Sequence, residues 1–346
     1  VADAVGIEDA APAITVVVVN YNAGRHLAET IAGLKAQTFR DFETILIDNA
    51  STDGSIEAAL AVGAPCEDFR TIRLVRNTGF ASANNVAARR AKGRYLALLN
   101  PDAFPELDWL AQLLAAAEAH PEAAAFGSRM IDAGDPGLLD GTGDVYTASG
   151  AAYRRDHGLP LRPRPDAEVF GACAAAALYR RDLFLALGGF DERLFCYLED
   201  VDLAFRLRLA GHVARHVDAA IVRHVGGASS GGGESDFAVY HGQRNLVRVF
   251  LADMPGWLLW RYLPAHILLN LALIVRFGLR GQLREVLRAK RDALRALPET
   301  LARRRTVQAG RKVPASAMGK AIDRRPFALF RHAFSRQRRS GAGTTS

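Results

Sequence analysis

Two groups of side chains in this 346-residue chain have the types and spacing to do chemistry. The first is a series of polar residues that end apolar runs. Asn20 and Asn22 follow Ile14-Thr-Val-Val-Val-Val19, Asp48 follows Glu43-Thr-Ile-Leu-Ile47, Asn77 follows Thr71-Ile-Arg-Leu-Val75, and Asn100 and Asp102 follow residues 95–99. Amides and carboxylates of this kind suit nucleotide bases, riboses and a metal-bridged diphosphate, because a hard divalent cation takes carboxylate and phosphate oxygens together. The second group is Glu199-Asp200. A carboxylate at the edge of such a crevice is a general base for an attacking hydroxyl. In the first turn of a helix the same pair also fits simple attraction to the helix dipole. The preceding Phe195-Cys-Tyr197 would desolvate a carboxylate there and raise its basicity.

The elements that must hold these residues follow from pattern. Residues 95–99 form a short apolar run that reads as a buried strand, and Pro101 ends it, since proline lacks a ladder donor and pushes Asn100 out of the α region. Helical patterns cover residues 26–36, 80–90, 107–120, 181–187 and 199–210, the last closed by Gly211. Four strands alternating with helices predict a doubly wound, mostly parallel α/β sheet with helices on both faces. Consistent crossovers then place the four polar strand ends along one edge, where such sheets bind ligands. The first strand-to-helix turn, Asn20-Tyr-Asn-Ala-Gly-Arg25, lacks the Gly-x-Gly-x-x-Gly of a dinucleotide fold, and no phosphate-binding Gly-x-x-x-x-Gly-Lys-Ser/Thr is present. A glycine-rich segment at 141–158, carrying Tyr146, Tyr153, Arg154 and Arg155, reads as a long loop or hairpin over the crevice. The small residues of 170–178 must pack closely beneath something.

Charge divides the chain. From Arg276 onward there are 19 Lys/Arg against 4 Asp/Glu, which leaves 25 against 33 before it. A basic tail on a mildly acidic body points to an anionic surface. Residues 257–275 are strongly apolar but carry Arg261, Pro264, His266 and Asn270, so they read as interfacial or partly buried rather than spanning. Arg276, Arg280, Arg284, Arg288, Arg291 and Arg295 fall on one helical face beside Leu279, Leu283, Val286 and Leu294, the pattern of an amphipathic helix on an anionic membrane. The rival is a helix packed on the body or on another subunit. No recognised nucleic-acid motif is present, and no nucleic-acid partner is expected. Cys66, Cys173 and Cys196 are too few and too scattered for a disulfide framework or a zinc site and suit a reducing compartment. The expected organisation is a loose leader at 1–12 without a signal-peptide pattern, a catalytic domain at 13–250, amphipathic helices at 251–302, and a basic, partly disordered tail at 303–346.

Five motifs in order, Val19-Asn-Tyr-Asn22, Leu46-Ile-Asp-Asn-Ala-Ser-Thr-Asp-Gly54, Asn77-Thr-Gly-Phe80, Leu99-Asn-Pro-Asp102 and Gly189-Phe-Asp-Glu-Arg-Leu-Phe-Cys-Tyr-Leu-Glu-Asp-Val-Asp-Leu203, resemble glycosyltransferase family 2 across roughly residues 13–250. Within it the chain is most similar to bacterial rhamnosyltransferase-type members, which build cell-envelope polysaccharides. The resemblance implies a GT-A fold and inverting, single-displacement transfer. It implies that Asn20, Tyr21, Asn22 and Asp48 hold base and ribose, with Asn77 and Gly79 bordering the same pocket. Asp102, with Asn100 in place of the motif's first aspartate, would bind Mg²⁺ or Mn²⁺ through the donor diphosphate, and His224 would complete the metal or diphosphate site. Asp200 would be the catalytic base with Glu199 beside it, and Arg244-Asn245 would close the domain. The Gly/Ser-rich stretch from Gly226 to Gly233 would order around bound donor.

Those implications give a concrete expectation. A sugar, L-rhamnose from dTDP-rhamnose, passes to a lipid-linked or polysaccharide acceptor at the cytoplasmic side of the inner membrane, where the enzyme is peripheral and can self-associate through its C-terminal helices. The same fold with a UDP-sugar, or a non-catalytic sugar-nucleotide or glycan-binding module, is the alternative.

Overall fold

Strand β1 (Ile14–Asn20) is buried at all seven positions, as its β-branched run requires, and the main sheet is built outward from it. In this computed structural model, which describes residues 11–227 and 235–325, β1 lies between β2 (Phe42–Asp48) and β4 (Tyr95–Leu99), parallel to both. β3 (Phe69–Arg73) adds a parallel edge to β2. Register sets Asn20 directly opposite Asp48, so two of the four polar strand ends are neighbours on one edge.

Helices α1 (His26–Lys35), α2 (Ser55–Ala61) and α3 (Gly79–Ala88) connect these strands. After β4 come the short β5 (Ala103–Pro105), α4 (Trp109–Ala119) and the long β6 (Ala123–Asp132), with β7 (Leu139–Gly141) along it. The glycine-rich segment is a hairpin, β8 (Asp144–Tyr146) with β9 (Ala152–Arg154). β10 (Ala167–Val169), β11 (Ala176–Arg180), α5 (Arg181–Ala186), α6 (Glu199–Leu209) and β12 (Val213–His224) complete the body. β11 runs antiparallel between β4 and β6, and β12 is parallel to β6. The result is the expected mixed α/β, mostly parallel sheet. Leu27, Ile31, Leu34, Trp109 and Leu113 fill one face of it, and Ala83, Ala87, Phe184, Leu203 and Leu207 fill the other.

The third strand starts two residues earlier than its apolar run suggests. Phe69 pairs with Thr44 and Arg73 with Asp48, and Val75 is left fully exposed. An edge strand paired on one side only takes its register from its neighbour, and hydrophobicity does not override that.

The basic region also differs from a single continuous helix. α7 (Asp236–Asp253) leads to α8 (Gly256–Leu279), which runs unbroken through Pro264. The chain then turns at Gly281, whose φ of +81° suits glycine, into α9 (Leu283–Arg295). The expected arginine row is thereby divided between two helices. α9 buries Val286, Ala289 and Ala293, and it is tied to α7 by Tyr240 Oη to Asp292 at 3.0 Å and Lys290 Nζ to the Gln243 carbonyl at 2.9 Å. α10 (Leu297–Ala309) and α11 (Ala315–Ala321) follow, so the stretch from Arg303 to residue 325 is packed rather than loose. Tyr146, Phe170 and Phe205 join α7, α8, α10 and α11 in one apolar cluster against the body.

Candidate active site

The first two polar strand ends organise each other. Asn20 is buried and its Nδ2 donates to Ser51 Oγ and Ser55 Oγ, both at 2.8 Å. Asn22, at φ +51°, accepts from Thr52 N at 2.8 Å, and Asp48 Oδ1 accepts from Ser51 N at 2.9 Å. Tyr21 stands half-buried beside them. Asn49 links this cluster to the next. Its Nδ2 donates to Asn77 Oδ1 at 2.9 Å, its Oδ1 accepts from Thr78 N at 2.9 Å, and Asn77 Oδ1 also accepts from Gly79 N at 2.9 Å. Asn49 escaped sequence reasoning, although it lies inside the motif after β2.

Gly79 is required by a close approach. A Cβ there would stand 2.6 Å from the Phe195 ring, and its φ is +84°. This contact, with Ala81 N donating to the Phe195 carbonyl at 3.1 Å, ties the start of α3 to the loop before α6. Phe195 is stacked on His241 at 5.1 Å. Its ring is therefore engaged with α3 and α7.

The opposite side of the crevice holds Asp102 and His224. Pairing of β5 with β12 sets Ala103 opposite His224, and Asp102 Oδ1 lies 3.4 Å from His224 Nε2. Asn100 Nδ2 is also 3.4 Å from that nitrogen. His224 Nδ1 meets Asp140 Oδ2 at 2.7 Å, and Asp140 is ion-paired with Arg154. Burial opposes charge on His224, but the Asp102 and Asp140 carboxylates outweigh it and raise its pKa to about 9. Burial likewise opposes the Asp140 anion, which His157, His224 and Arg154 hold well below the usual carboxylate range.

These residues fit a divalent ion. A carboxylate and an imidazole Nε2 face one another, and the other imidazole nitrogen is oriented by a carboxylate, the usual outer support of a metal-binding histidine. Among the described residues no group of three or more His, Cys, Asp or Glu side chains gathers to hold an ion alone. Diphosphate and water would supply the remaining ligands.

Asp200 opens the third side. Its Oδ2 accepts from Ala174 N at 3.2 Å and its Oδ1 from Val201 N at 2.8 Å. Burial raises its pKa, while the backbone N–H groups and Arg154 pull it back. Glu199 is more deeply buried, and its Oε2 has no hydrogen-bond partner among the described residues. Burial, and then the Asp200 charge, push Glu199 well above the carboxylate range. The two carboxyls thus differ in support: Asp200 is held by backbone N–H groups, and burial pushes Glu199 further toward its protonated form. Two consecutive small residues, Gly171 and Ala172, do what their size suggested. A Cβ on Gly171 would meet the Ala204 Cβ of α6 at 2.7 Å, and Ala172 lies against Gly127.

Arg244 and Asn245 close the site from α7. Asn245 Nδ2 donates to the carbonyls of Leu194, Cys196 and Tyr197, and Arg244 Nη2 to those of Arg193 and Leu194. Of the Gly/Ser-rich stretch after His224, residues 228–234 lie outside the described residues, as do 1–10 of the leader and 326–346 of the tail.

The chain is similar to known proteins. The family model for glycosyl transferase family 2 matches residues 15–188. The N-acetylglucosaminyl-diphospho-decaprenol L-rhamnosyltransferase of Mycobacterium tuberculosis is 31% identical over 313 residues, covering 80% of this chain and 97% of that protein. Two solved structures share the fold. The mannosyltransferase PcManGT from Pyrobaculum calidifontis, in complex with GDP-Man and Mn²⁺, has a TM-score of 0.53 at 20% identity, covering 88% of this chain and 85% of its own. S. aureus TarS 1–349 in complex with UDP-GlcNAc has a TM-score of 0.56 at 17% identity, covering 86% and 87%. The chain is a glycosyltransferase and belongs to glycosyl transferase family 2.

Proposed function

We propose that the protein is an inverting glycosyltransferase that moves L-rhamnose from dTDP-rhamnose to a lipid-linked or polysaccharide acceptor in cell-envelope glycan synthesis. The observation that carries this reading is the 31% identity, over 80% of the chain, to an enzyme named for rhamnosyl transfer to N-acetylglucosaminyl-diphospho-decaprenol. In this account Asp200 takes the proton of the acceptor hydroxyl as that oxygen attacks the anomeric carbon, opposite the departing diphosphate. The backbone N–H groups of Ala174 and Val201 aim its carboxylate. Asp102 and His224 would hold Mg²⁺ or Mn²⁺, which when bound neutralises charge on the diphosphate. The networks of Asn20, Asn22, Asp48, Asn49 and Asn77 shape the nucleotide end. The test is transfer of labelled rhamnose from dTDP-rhamnose to an N-acetylglucosaminyl-diphospho-polyprenol in micelles. Donor binding without transfer to any such acceptor would overturn the proposed acceptor.

We also place the enzyme peripherally on the cytoplasmic side of the inner membrane. α8 is long and apolar enough to cross a membrane by length and composition. It nevertheless docks on the body, where His266 Nδ1 meets the Ser149 carbonyl at 2.8 Å and its ring stacks on Phe250. Its outer face exposes Trp257, Trp260, Leu268, Leu271, Val275 and Leu279, and α9 exposes Leu283, Leu287 and Leu294 near Arg284, Arg288 and Arg291. Apolar side chains bordered by arginines suit an anionic lipid surface. Flotation with vesicles containing anionic lipid, and its loss when the three arginines are changed to glutamate, tests this placement.

A further inference from the structure

Asp144 is a buried carboxyl with one oxygen left unpaired among the described residues. Its backbone is committed, N donating to the Gly171 carbonyl at 2.9 Å and O accepting from Phe170 N at 3.2 Å, but its side-chain Oδ2 has no hydrogen-bond partner among the described residues. Only 6% of the residue remains exposed. A buried polar atom left unpaired is destabilising, so a group kept in that state calls for an external partner.

Its position says which partner. A Cβ on Gly171 would lie 3.4 Å from Asp144 Oδ2 and 2.7 Å from the Ala204 Cβ, so the carboxyl and α6 meet over this glycine. Ala204 is one helical turn beyond Asp200, on the same face of α6. Asp200 itself is hydrogen-bonded to Ala174 N, three residues past Gly171. On the other side, hairpin register pairs Asp144 with Arg154, whose guanidinium reaches Asp140 and comes within 3.5 Å of His224 Nδ1. Asp144 is therefore linked through Gly171 to the helix that carries Asp200 and through Arg154 to Asp140 and His224. In a single displacement the transferred sugar occupies the interval between the base and the diphosphate site, because its anomeric carbon must lie between the attacking hydroxyl and the leaving phosphate.

We propose that Asp144 recognises the transferred sugar, its carboxyl hydrogen-bonding a hydroxyl of that sugar between Asp200 and the diphosphate site. This rests on the glycosyl-transfer reading above. Burial, and then the Asp200 charge, favour the protonated carboxyl, which can both donate to and accept from a hydroxyl. Selection among sugars then comes from a buried group that is satisfied only when a hydroxyl is correctly placed.

The experiment compares dissociation constants by calorimetry for dTDP-L-rhamnose against dTDP, UDP-GlcNAc against UDP, and GDP-mannose against GDP, in wild type, Asp144→Ala and Asp144→Asn. Melting temperatures serve as the control for folding. For the sugar nucleotide that wild type binds, Asp144→Ala should weaken binding about tenfold, the scale of one such hydrogen bond, and leave the matching diphosphate unchanged. Asp144→Asn, which keeps a donor and an acceptor, should recover most of the loss. Equal weakening of sugar nucleotide and diphosphate, or none of either, overturns the proposal. If wild type binds none of the three sugar nucleotides, the dTDP-rhamnose reading fails and the proposal falls with it.

Discussion

Asn245 Nδ2 of α7 lies 2.7 Å from the Tyr197 carbonyl oxygen, and this contact holds the entry to the helix that carries Glu199 and Asp200. Phe195, Tyr197 and Leu198 have φ of +67°, +69° and +68°, left-handed conformations that side chains with a Cβ rarely adopt. Each costs on the order of 1–3 kcal/mol and persists only where its surroundings over-determine it. Here those surroundings are Asn245 and Arg244 above and Gly79 below, the last leaving room for Phe195. Strain is thus concentrated in the few residues that aim Glu199 and Asp200.

Asn245→Ala leaves three loop carbonyls without that donor. It should lower unfolding stability by about 2–4 kcal/mol in urea titrations. At a temperature where the variant remains folded, kcat should fall further than donor affinity. Unchanged kcat in the folded variant would show that the loop keeps its shape without the amide.

Asp140→Asn removes the carboxylate that orients His224 while keeping the side chain's size. The concentration of Mn²⁺ or Mg²⁺ needed for half-maximal activity should rise about 10–100-fold, the usual effect of losing such support. Affinity for metal-free nucleoside diphosphate should change little. An unaltered metal requirement would mean that His224 is not a ligand.

Arg303 makes the C-terminal helices part of the catalytic body. Its Nη2 lies 3.0 Å from both Asp202 oxygens, and its Nε is 2.7 Å from Asp191 Oδ2. Burial alone would raise the Asp202 pKa, but Arg206 and Arg303 hold it below the ordinary value. A depressed carboxylate contributes stability that is full above its unfolded pKa of about 3.9 and is lost as pH falls through the lower folded value. Wild type should therefore lose melting temperature below about pH 4, where Asp202 of the unfolded chain begins to take up a proton. Arg303→Ala should be about 3–5 kcal/mol less stable at neutral pH, because it strands a buried charge, and should show a shallower acid decline. Matching melting curves for the two proteins would refute this coupling.

How much of this was legible in the sequence follows from the range of each interaction. The strand ends were readable because a buried β run stops visibly at its first polar residues, and parallel register then aligns Asn20 with Asp48. The close packing of residues 170–178 was readable from side-chain size. Asp140 and Asp144 were hidden, since their partners are set by β7 and the hairpin. His224 lies 84 residues from Asp140, and no local spacing encodes that pair. Arg154 lay inside the segment expected over the crevice, but its part in joining Asp140 to His224 depends on cross-strand register. The turn at Gly281 was concealed because arginines and leucines keep helical spacing across it, and one left-handed glycine divides the pattern.

The central claim is that Asp200 is the base, and one variant tests it most directly. Single-turnover transfer should be compared in wild type, Asp200→Asn and Glu199→Gln, with donor affinity measured alongside. The account predicts that Asp200→Asn loses about 10²–10⁴-fold in rate with donor affinity nearly unchanged, and that Glu199→Gln, at a carboxyl that burial pushes toward its protonated form, stays within several-fold of wild type. Because burial raises the Asp200 pKa, the wild-type rate should climb with pH through a value above the ordinary aspartate range, and Asp200→Asn should lose that limb. Full transfer activity in Asp200→Asn would contradict the account.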